Sequence, residues 1–560
     1  MSERLSAARR AALPAVSALV ALAVTASLLG RGFVLSYDMV FAPTQPLVPD
    51  SLGLGSAPAR SVPADAVIAL LTHVLPGDIV QKLVLLLAFF LGPLGAGRLV
   101  PTGSTAVRLV AAVGYGWTPY LAERLFMGHW PYLLAYACLP WIAAAGLALR
   151  DGEPKAWARL VLWSAPAVLT PTGGLLAAGT ALAAAGWRRS VPTLGIALAL
   201  NAPWLVPSIL LPGGALSAPG AVDQFGAHGE NWGGALTAVL GLGGYWNSEV
   251  VPDSRALPLV PVITLAVTAA ALVGCRDLVR RWGPALPALG GLGVVLALLT
   301  TVPWGADLLR WAVTTVPGAG LLRDSQKWVA WWALPLALGF ALAVERAVRH
   351  LDRGRLAALG AAALLPVLTM PDLALGGFGR LAPVDYPADW TAVRATLLAD
   401  DRPGDVLTLP LSTFRRFAWN DERTQLDPAP RILPRTTVID DTVYVNGRPI
   451  PGEDPRVPGV RDTLAARGGL GALGFGWVLV EHGTPGAVDP AVLAPLTETF
   501  RGPWLTLYRV PGAIAAPPAL GPPRAPVLVA DSIALLIVTL GLLWLALPAG
   551  RLSEISRREE

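Results

Sequence analysis

Asp38 follows the first long apolar run by only a few residues, between Tyr37 and Met39. A carboxylate at that depth could act as general base toward a sugar hydroxyl, or ligate a divalent cation such as magnesium or manganese. It could equally be a solvated loop acid capping a short helix. A second cluster, Leu322-Arg323-Asp324-Ser325-Gln326-Lys327-Trp328, opens a late apolar run. If this stretch is helical, Arg323 and Lys327 lie four apart on one face and suit the phosphate of a lipid carrier. Interfacial anchoring by snorkelling side chains is the alternative. A third group, Glu123-Arg124 and Gly128-His129-Trp130-Pro131-Tyr132, fills a tight turn between two apolar runs. There His129 could shuttle a proton and Arg124 could join the phosphate site, or the turn is structural with an internal ion pair. Lys82 and Arg310 are further cations near run ends, and His228, Glu230 and Trp232 could line a sugar site. Interfacial anchoring accounts equally for Trp232.

These residues are spaced by segments whose charges are sorted by sign. Arginine-rich connections (Arg4, Arg9 and Arg10; Arg98 and Arg108; Arg150, Lys155 and Arg159; Arg188 and Arg189; Arg276 to Arg281; Arg346 to Arg355; Arg551, Arg557 and Arg558) alternate with acidic ones. Positive loops stay cytoplasmic, so the alternation places both termini inside and the large hydrophilic region outside. With about 20 apolar residues per span, spans are expected near 11–34, 79–100, 106–122, 131–149, 191–211, 257–275, 284–302, 327–345, 355–373 and 527–549. The stretch 157–187 must be two short helices turning at Thr170-Pro171-Thr172-Gly173-Gly174. One helix there would put Arg188 and Arg189 outside and invert every later loop. The expectation is a polytopic α-helical membrane protein of about 12 segments, with both termini cytoplasmic. Its parts are a multi-span domain (1–377), a small extracytoplasmic α/β domain (378–524), and a final span with a cytoplasmic tail (525–560). The outer loops 35–78 and 212–256 each contain a short apolar stretch, 65–75 and 235–241, expected to lie in the interface. Within the α/β domain, a helix is expected over 386–399 and strands over 405–410, 443–448, 476–480 and 504–510.

Composition narrows the function classes. The 560 residues are 54% hydrophobic and 14% charged, about half the charge of a typical soluble chain. The net charge of +5 therefore reflects topology and contact with anionic membrane lipids, not nucleic acid. Cys138 and Cys275 both fall in apolar segments, which excludes a disulfide framework in the α/β domain. There is no P-loop, dinucleotide fingerprint, paired-cysteine zinc spacing or nucleophile elbow. Mid-span acids are scarce, against the usual need of a coupled transporter. Energy for a reaction must come from a pre-activated, membrane-soluble donor or from an ion gradient.

On these residues the chain resembles the GT-C superfamily of polyprenyl-phosphate-sugar-dependent glycosyltransferases, nearest to the actinobacterial arabinofuranosyltransferase-like membrane proteins of cell-wall assembly. The resemblance rests on Asp38 in a long first outer loop and on Glu123-Arg124 with Gly128-His129-Trp130-Pro131 in the next. Arg323 to Trp328 at a late span and the strands Leu473 to Val480 and Trp504 to Val510 complete it. It implies Asp38 as catalytic base or metal ligand, and Arg323, Lys327, Arg124 and Lys82 as donor-phosphate ligands. Glu123, His129, Trp130, Trp232 and Asp324 would be substrate contacts. The implied partners are a polyprenyl-phosphate sugar donor, a cell-envelope glycan or glycolipid acceptor, and membrane lipids. Two departures stand out: Asp38 has no neighbouring acid, and the chain lacks the carbohydrate-binding modules of the largest arabinan enzymes. A non-catalytic scaffold or lipid-glycan handling subunit on the same fold is the alternative.

Overall fold

The computed structural model describes residues 2–547 apart from positions 213, 352 and 446, with side chains from position 9 onward. Arg551, Arg557 and Arg558, the side chain of Arg4, and Asn446 in the expected 443–448 strand lie outside the described residues. Among those residues, seven helices are long and apolar enough to cross a membrane: Arg9–Leu29, Gly77–Leu99, Trp130–Arg150, Trp187–Leu210, Val260–Trp282, Ser325–Val348 and Arg524–Ala546. Ala156–Leu169, Pro171–Ala185 and Arg355–Thr369 are shorter apolar helices. The break in 157–187 falls at Thr170-Pro171, where proline takes the first helical position and its missing N–H costs nothing.

Two expected spans differ. The 106–122 segment ends at Gly116, and a separate helix, Pro119–Phe126, begins after Thr118. Thr118 caps it by accepting from the Leu121 N–H, with Pro119 at the first position, a start signal that outweighs the apolar run. The 284–302 segment turns by 94° at Val302-Pro303 into Pro303–Thr315. That second helix exposes Trp304, Leu308 and Trp311 on one side and buries Leu309 and Val313 on the other, the pattern of a helix lying in the interface. The expected interfacial stretches form short helices, Ala64–Thr72 and Gly234–Leu240.

Trp130–Arg150 and Ser325–Val348 are the most enclosed spans, 78% and 72% buried, and Arg524–Ala546 is peripheral at 17%. Small residues let the central helices touch. A Cβ on Gly274 would lie 1.8 Å from the Gly339 carbonyl oxygen, so backbones approach there as small-residue pairs allow in membranes.

The α/β domain is built on a five-stranded sheet in the order Thr497–Arg501, Leu505–Arg509, Phe475–Glu481, Asp405–Leu409, Thr437–Val438. The first three are antiparallel and the last three parallel. Alternation fills both faces. Val406, Trp477 and Leu479 meet Trp390 and Val393 of the helix Ala388–Ala399, while Leu407, Val478 and Val480 meet Val460 of the helix Arg456–Ala465. At the domain's core, Arg415 is fully buried between Asp427 (2.8 Å) and Glu481.

The loop after the first span is stitched into this domain. Phe33–Val34 pairs antiparallel with Pro383–Val384, and the buried Gln81 amide closes the free edge by bonding both the N–H and the carbonyl of Val34 (2.9 and 2.7 Å). Tyr37 then donates to the Thr424 carbonyl (2.6 Å) and accepts from the Leu426 N–H (2.8 Å).

Candidate active site

The turn Ser36–Met39 is held from two sides, by the α/β domain at Tyr37 and by the end of the helix Pro119–Phe126. The Asp38 N–H donates to the Met127 carbonyl (3.1 Å), and the Ser36 hydroxyl donates to the Phe126 carbonyl (2.8 Å). Gly128, at φ +74°, makes this approach possible, since a Cβ there would lie 2.2 Å from the Ser36 oxygen and 2.3 Å from the Met39 nitrogen.

Asp38 Oδ2 lies 3.1 Å from His129 Nε2, and its side chain is 41% exposed to the cavity it faces. His129 Nδ1 lies 3.1 Å from Arg124 Nη1. A guanidinium only donates, so Nδ1 must accept, Nε2 must carry the proton, and that proton points at Asp38. His129 is thereby a neutral donor to Asp38; of the two sequence readings, proton shuttle or structural turn, this arrangement is nearer the second. Its enclosure depresses its basicity, against the pull of Asp38, and the Arg124 and Lys327 cations depress it further. For Asp38, enclosure alone would raise the carboxyl. The hydrogen bond from His129 and the positive field of Arg431 and Lys327 prevail and hold it below the usual range.

Arg124 itself is fully buried. Its guanidinium lies over the rings of Tyr245 (4.4 Å) and Tyr120 (5.2 Å) and donates to the Gln326 side-chain oxygen. The Gln326 amide donates in turn to Glu123 (3.1 Å). Glu123 and Arg124 therefore stand behind the cavity wall and reach it only through their neighbours.

Arg323 and Lys327 both line the cavity but do not share a helical face, because Ser325–Val329 is a 3₁₀ turn. Lys327 Nζ lies 3.0 Å from Asp324 Oδ2 and 4.8 Å from the centre of the Tyr132 ring. Asp324 also faces Arg124 at 3.5 Å. Arg323 donates to Glu453 of the α/β domain (2.7 Å) and to the Ser217 hydroxyl (3.1 Å).

The cavity these residues share measures about 410 Å³. Asp38, His129, Trp130, Arg323, Asp324 and Lys327 line it; Trp130 packs on Phe41 with ring centres 5.1 Å apart. Other expected residues are elsewhere. Lys82 pairs with Asp78 one turn away (3.0 Å), outside the cavity. Trp232 is 68% exposed and donates to the Pro258 carbonyl, an anchoring position. Arg310 bonds Asp223 at the surface, His228 bonds the Gly226 carbonyl, and Glu230 pairs with the buried Arg255 (2.8 Å). The sequence reading missed Arg60, Asp65, Arg431 and Glu453, all on the cavity wall. Asp65, far from Asp38 along the chain, is brought to the same cavity and paired with Arg431 (3.1 Å). Only Arg60 carried a signal, as a cation in the loop 35–78, which the charge pattern leads one to expect outside, where cations are scarce.

A divalent cation does not fit this donor set. Asp65 and Asp324 already face Arg431 and Lys327, Asp441 accepts backbone N–H groups, and Asp38 is ringed by His129, Arg431 and Lys327. Among the described residues, no three carboxylate, imidazole or thiol groups converge as metal ligands.

On the cavity's other flank, Leu169, Pro171, Trp204, Leu205 and Ile209 form an apolar wall. Ile209 is 66% exposed on the outer side of its helix.

No protein-family model and no curated protein matches this chain. Among solved structures, the cryo-EM structure of arabinofuranosyltransferase AftD from Mycobacteria is similar with a TM-score of 0.54 and 18% identity, covering 90% of this chain and 40% of that one. A mutant form of the same protein gives a TM-score of 0.54 at 18% identity, covering 90% and 41%. The chain thus spans about two fifths of AftD, and what the two share is the fold of a polytopic helical membrane protein.

Proposed function

We propose that this chain is an inverting glycosyltransferase of the plasma membrane, taking a sugar from a polyprenyl-phosphate donor and passing it to a hydroxyl of a cell-envelope glycan or glycolipid. In this reading the chain has about twelve membrane segments, both termini are cytoplasmic, and the α/β domain and the cavity face outward. The acceptor oxygen attacks the anomeric carbon while Asp38 takes the hydroxyl proton. The bond from that carbon to the phosphate oxygen breaks, and its electron pair leaves with the lipid phosphate. Lys327 and Arg323 offset the charge that develops there. His129 holds the Asp38 carboxylate in one orientation, with Arg124 fixing the ring from behind.

One observation carries the reading. A single cavity joins a carboxylate oriented by His129, a set of cations, and an apolar wall of Leu169, Pro171, Trp204, Leu205 and Ile209 that suits a lipid chain. The likeness in fold to a protein named for arabinofuranosyl transfer supports sugar transfer as the reaction class. The test compares surface-glycan linkages in a deletion strain and in strains restored with wild type or Asp38→Asn at equal expression. Restoration by wild type alone is expected, and the missing linkage would name the sugar. Full restoration by Asp38→Asn would remove Asp38 as the base and favour a non-catalytic scaffold.

A further inference from the structure

We propose that Glu453 is a resident anion: its carboxylate occupies a seat formed by Arg60, Arg323 and Ser217 that the donor's phosphate takes over, and it returns as the product leaves. This rests on the polyprenyl-phosphate reading above. Glu453 accepts from Arg323 Nη1 (2.7 Å) and from the Ser217 hydroxyl (2.9 Å), and its second oxygen pairs with Arg60. The three donors come from three separate segments of the membrane domain, yet converge on one carboxylate that the α/β domain supplies. A fork of guanidinium and hydroxyl donors receives phosphate oxygens in the same way as carboxylate oxygens. All four residues line the cavity that contains Asp38.

The backbone around Glu453 holds its side chain inward. Asp441 accepts from the N–H groups of Glu453 (2.6 Å) and Asp454 (3.2 Å), and Asp454 accepts from the Ser56 hydroxyl (3.0 Å). Gly452 admits Asp441 to this position, since a Cβ there would lie 1.7 Å from its Oδ1.

Charge gives the exchange a direction. The donor is a phosphodiester with one negative charge. Cleavage leaves a lipid monophosphate approaching two, because the second ionisation of a phosphate monoester falls near pH 6. Two arginines without a competitor would hold that product more tightly than the donor. A carboxylate tethered beside them competes for the same donors and speeds its departure.

The test uses the full-length protein in nanodiscs, with direct binding of polyprenyl monophosphate, uncharged polyprenol and inorganic phosphate. Glu453→Gln should bind polyprenyl monophosphate about tenfold more tightly than wild type, or ~1.4 kcal/mol, with polyprenol unchanged. The double variant Arg60→Gln/Arg323→Gln should bind the monophosphate at least tenfold more weakly. Glu453→Asp keeps the charge and should match wild type, so the contrast of Asp with Gln holds even if both loosen local packing. Equal or weaker binding by Glu453→Gln, with the arginine variant still impaired, overturns the resident-anion role and leaves the phosphate reading standing. Tightening for inorganic phosphate but not for the lipid overturns the assignment to a lipid donor. If wild type binds polyprenyl monophosphate no better than polyprenol, the donor reading itself falls, and this inference with it.

Discussion

Gly128→Ala is a local change with a calculable consequence for catalysis. At φ +74° an alanine pays roughly 1–2 kcal/mol for the left-handed backbone alone. Its Cβ would also sit 2.2 Å from the Ser36 carbonyl oxygen and 2.3 Å from the Met39 nitrogen. Both neighbours are backbone, so no side chain can rotate away. Ordinary contact begins near 3.4 Å, and the turn carrying Asp38 must therefore move by about 1 Å. A displacement of that size at a reacting group can cost on the order of 100-fold in rate. The assay is turnover with a polyprenyl-phosphate sugar, alongside thermal unfolding of the same sample in detergent. Turnover should fall by about 100-fold while stability falls by only ~1–2 kcal/mol. Gly128→Asn separates the two effects: asparagine tolerates positive φ but still carries a Cβ, so it should remain as slow as alanine. Wild-type turnover in either variant would refute the claim that Gly128 sets the position of Asp38.

Two further outcomes follow from the charges. Asp38 is held below the ordinary carboxyl range and loses its base form only as pH falls through that depressed value. His129 is held below its ordinary value and stays neutral. The kcat/KM profile should therefore show no acid-side inflection near ~6.5; an inflection there would mean that His129 carries the titrating proton. In the α/β domain, Arg415→Met leaves Asp427 and Glu481 buried without their shared cation and should destabilise the protein by ~3–5 kcal/mol in denaturant or thermal unfolding. A loss under ~1 kcal/mol would show that water or a neighbour replaces Arg415.

Much of the membrane architecture was legible because its causes are local. Arg188 and Arg189 forced a break between 157 and 187, and the Thr-Pro-Thr-Gly-Gly stretch named the place. The same type of signal at Thr118-Pro119 went unread, and the 106–122 segment was taken as one span although threonine and proline there start a new helix. Asp38 and His129 were legible as chemistry but not as partners, since a sequence does not reveal which nitrogen of an imidazole faces which residue. Lys82 misled because a lone cation near the outer end of a span looks like a ligand, whereas Asp78 one turn earlier already satisfies it. Glu453 stands 130 positions from Arg323 in another domain, and no periodicity or spacing connects them.

The residues from Phe33 to Tyr37 belong by chain position to the membrane domain and by pairing to the α/β domain, through Pro383–Val384 and Thr424–Leu426. The boundary between the two parts is therefore not a point along the chain but a shared ribbon, and Asp38 is the next residue on it. A chimera that replaced only 378–524 would graft a foreign sheet edge onto the native ribbon, and Asp38 would lose its setting. Residues 33–40 must travel with the domain for the graft to work. For the same reason, a displacement of the domain reaches Asp38 along the backbone and not only through side-chain contacts.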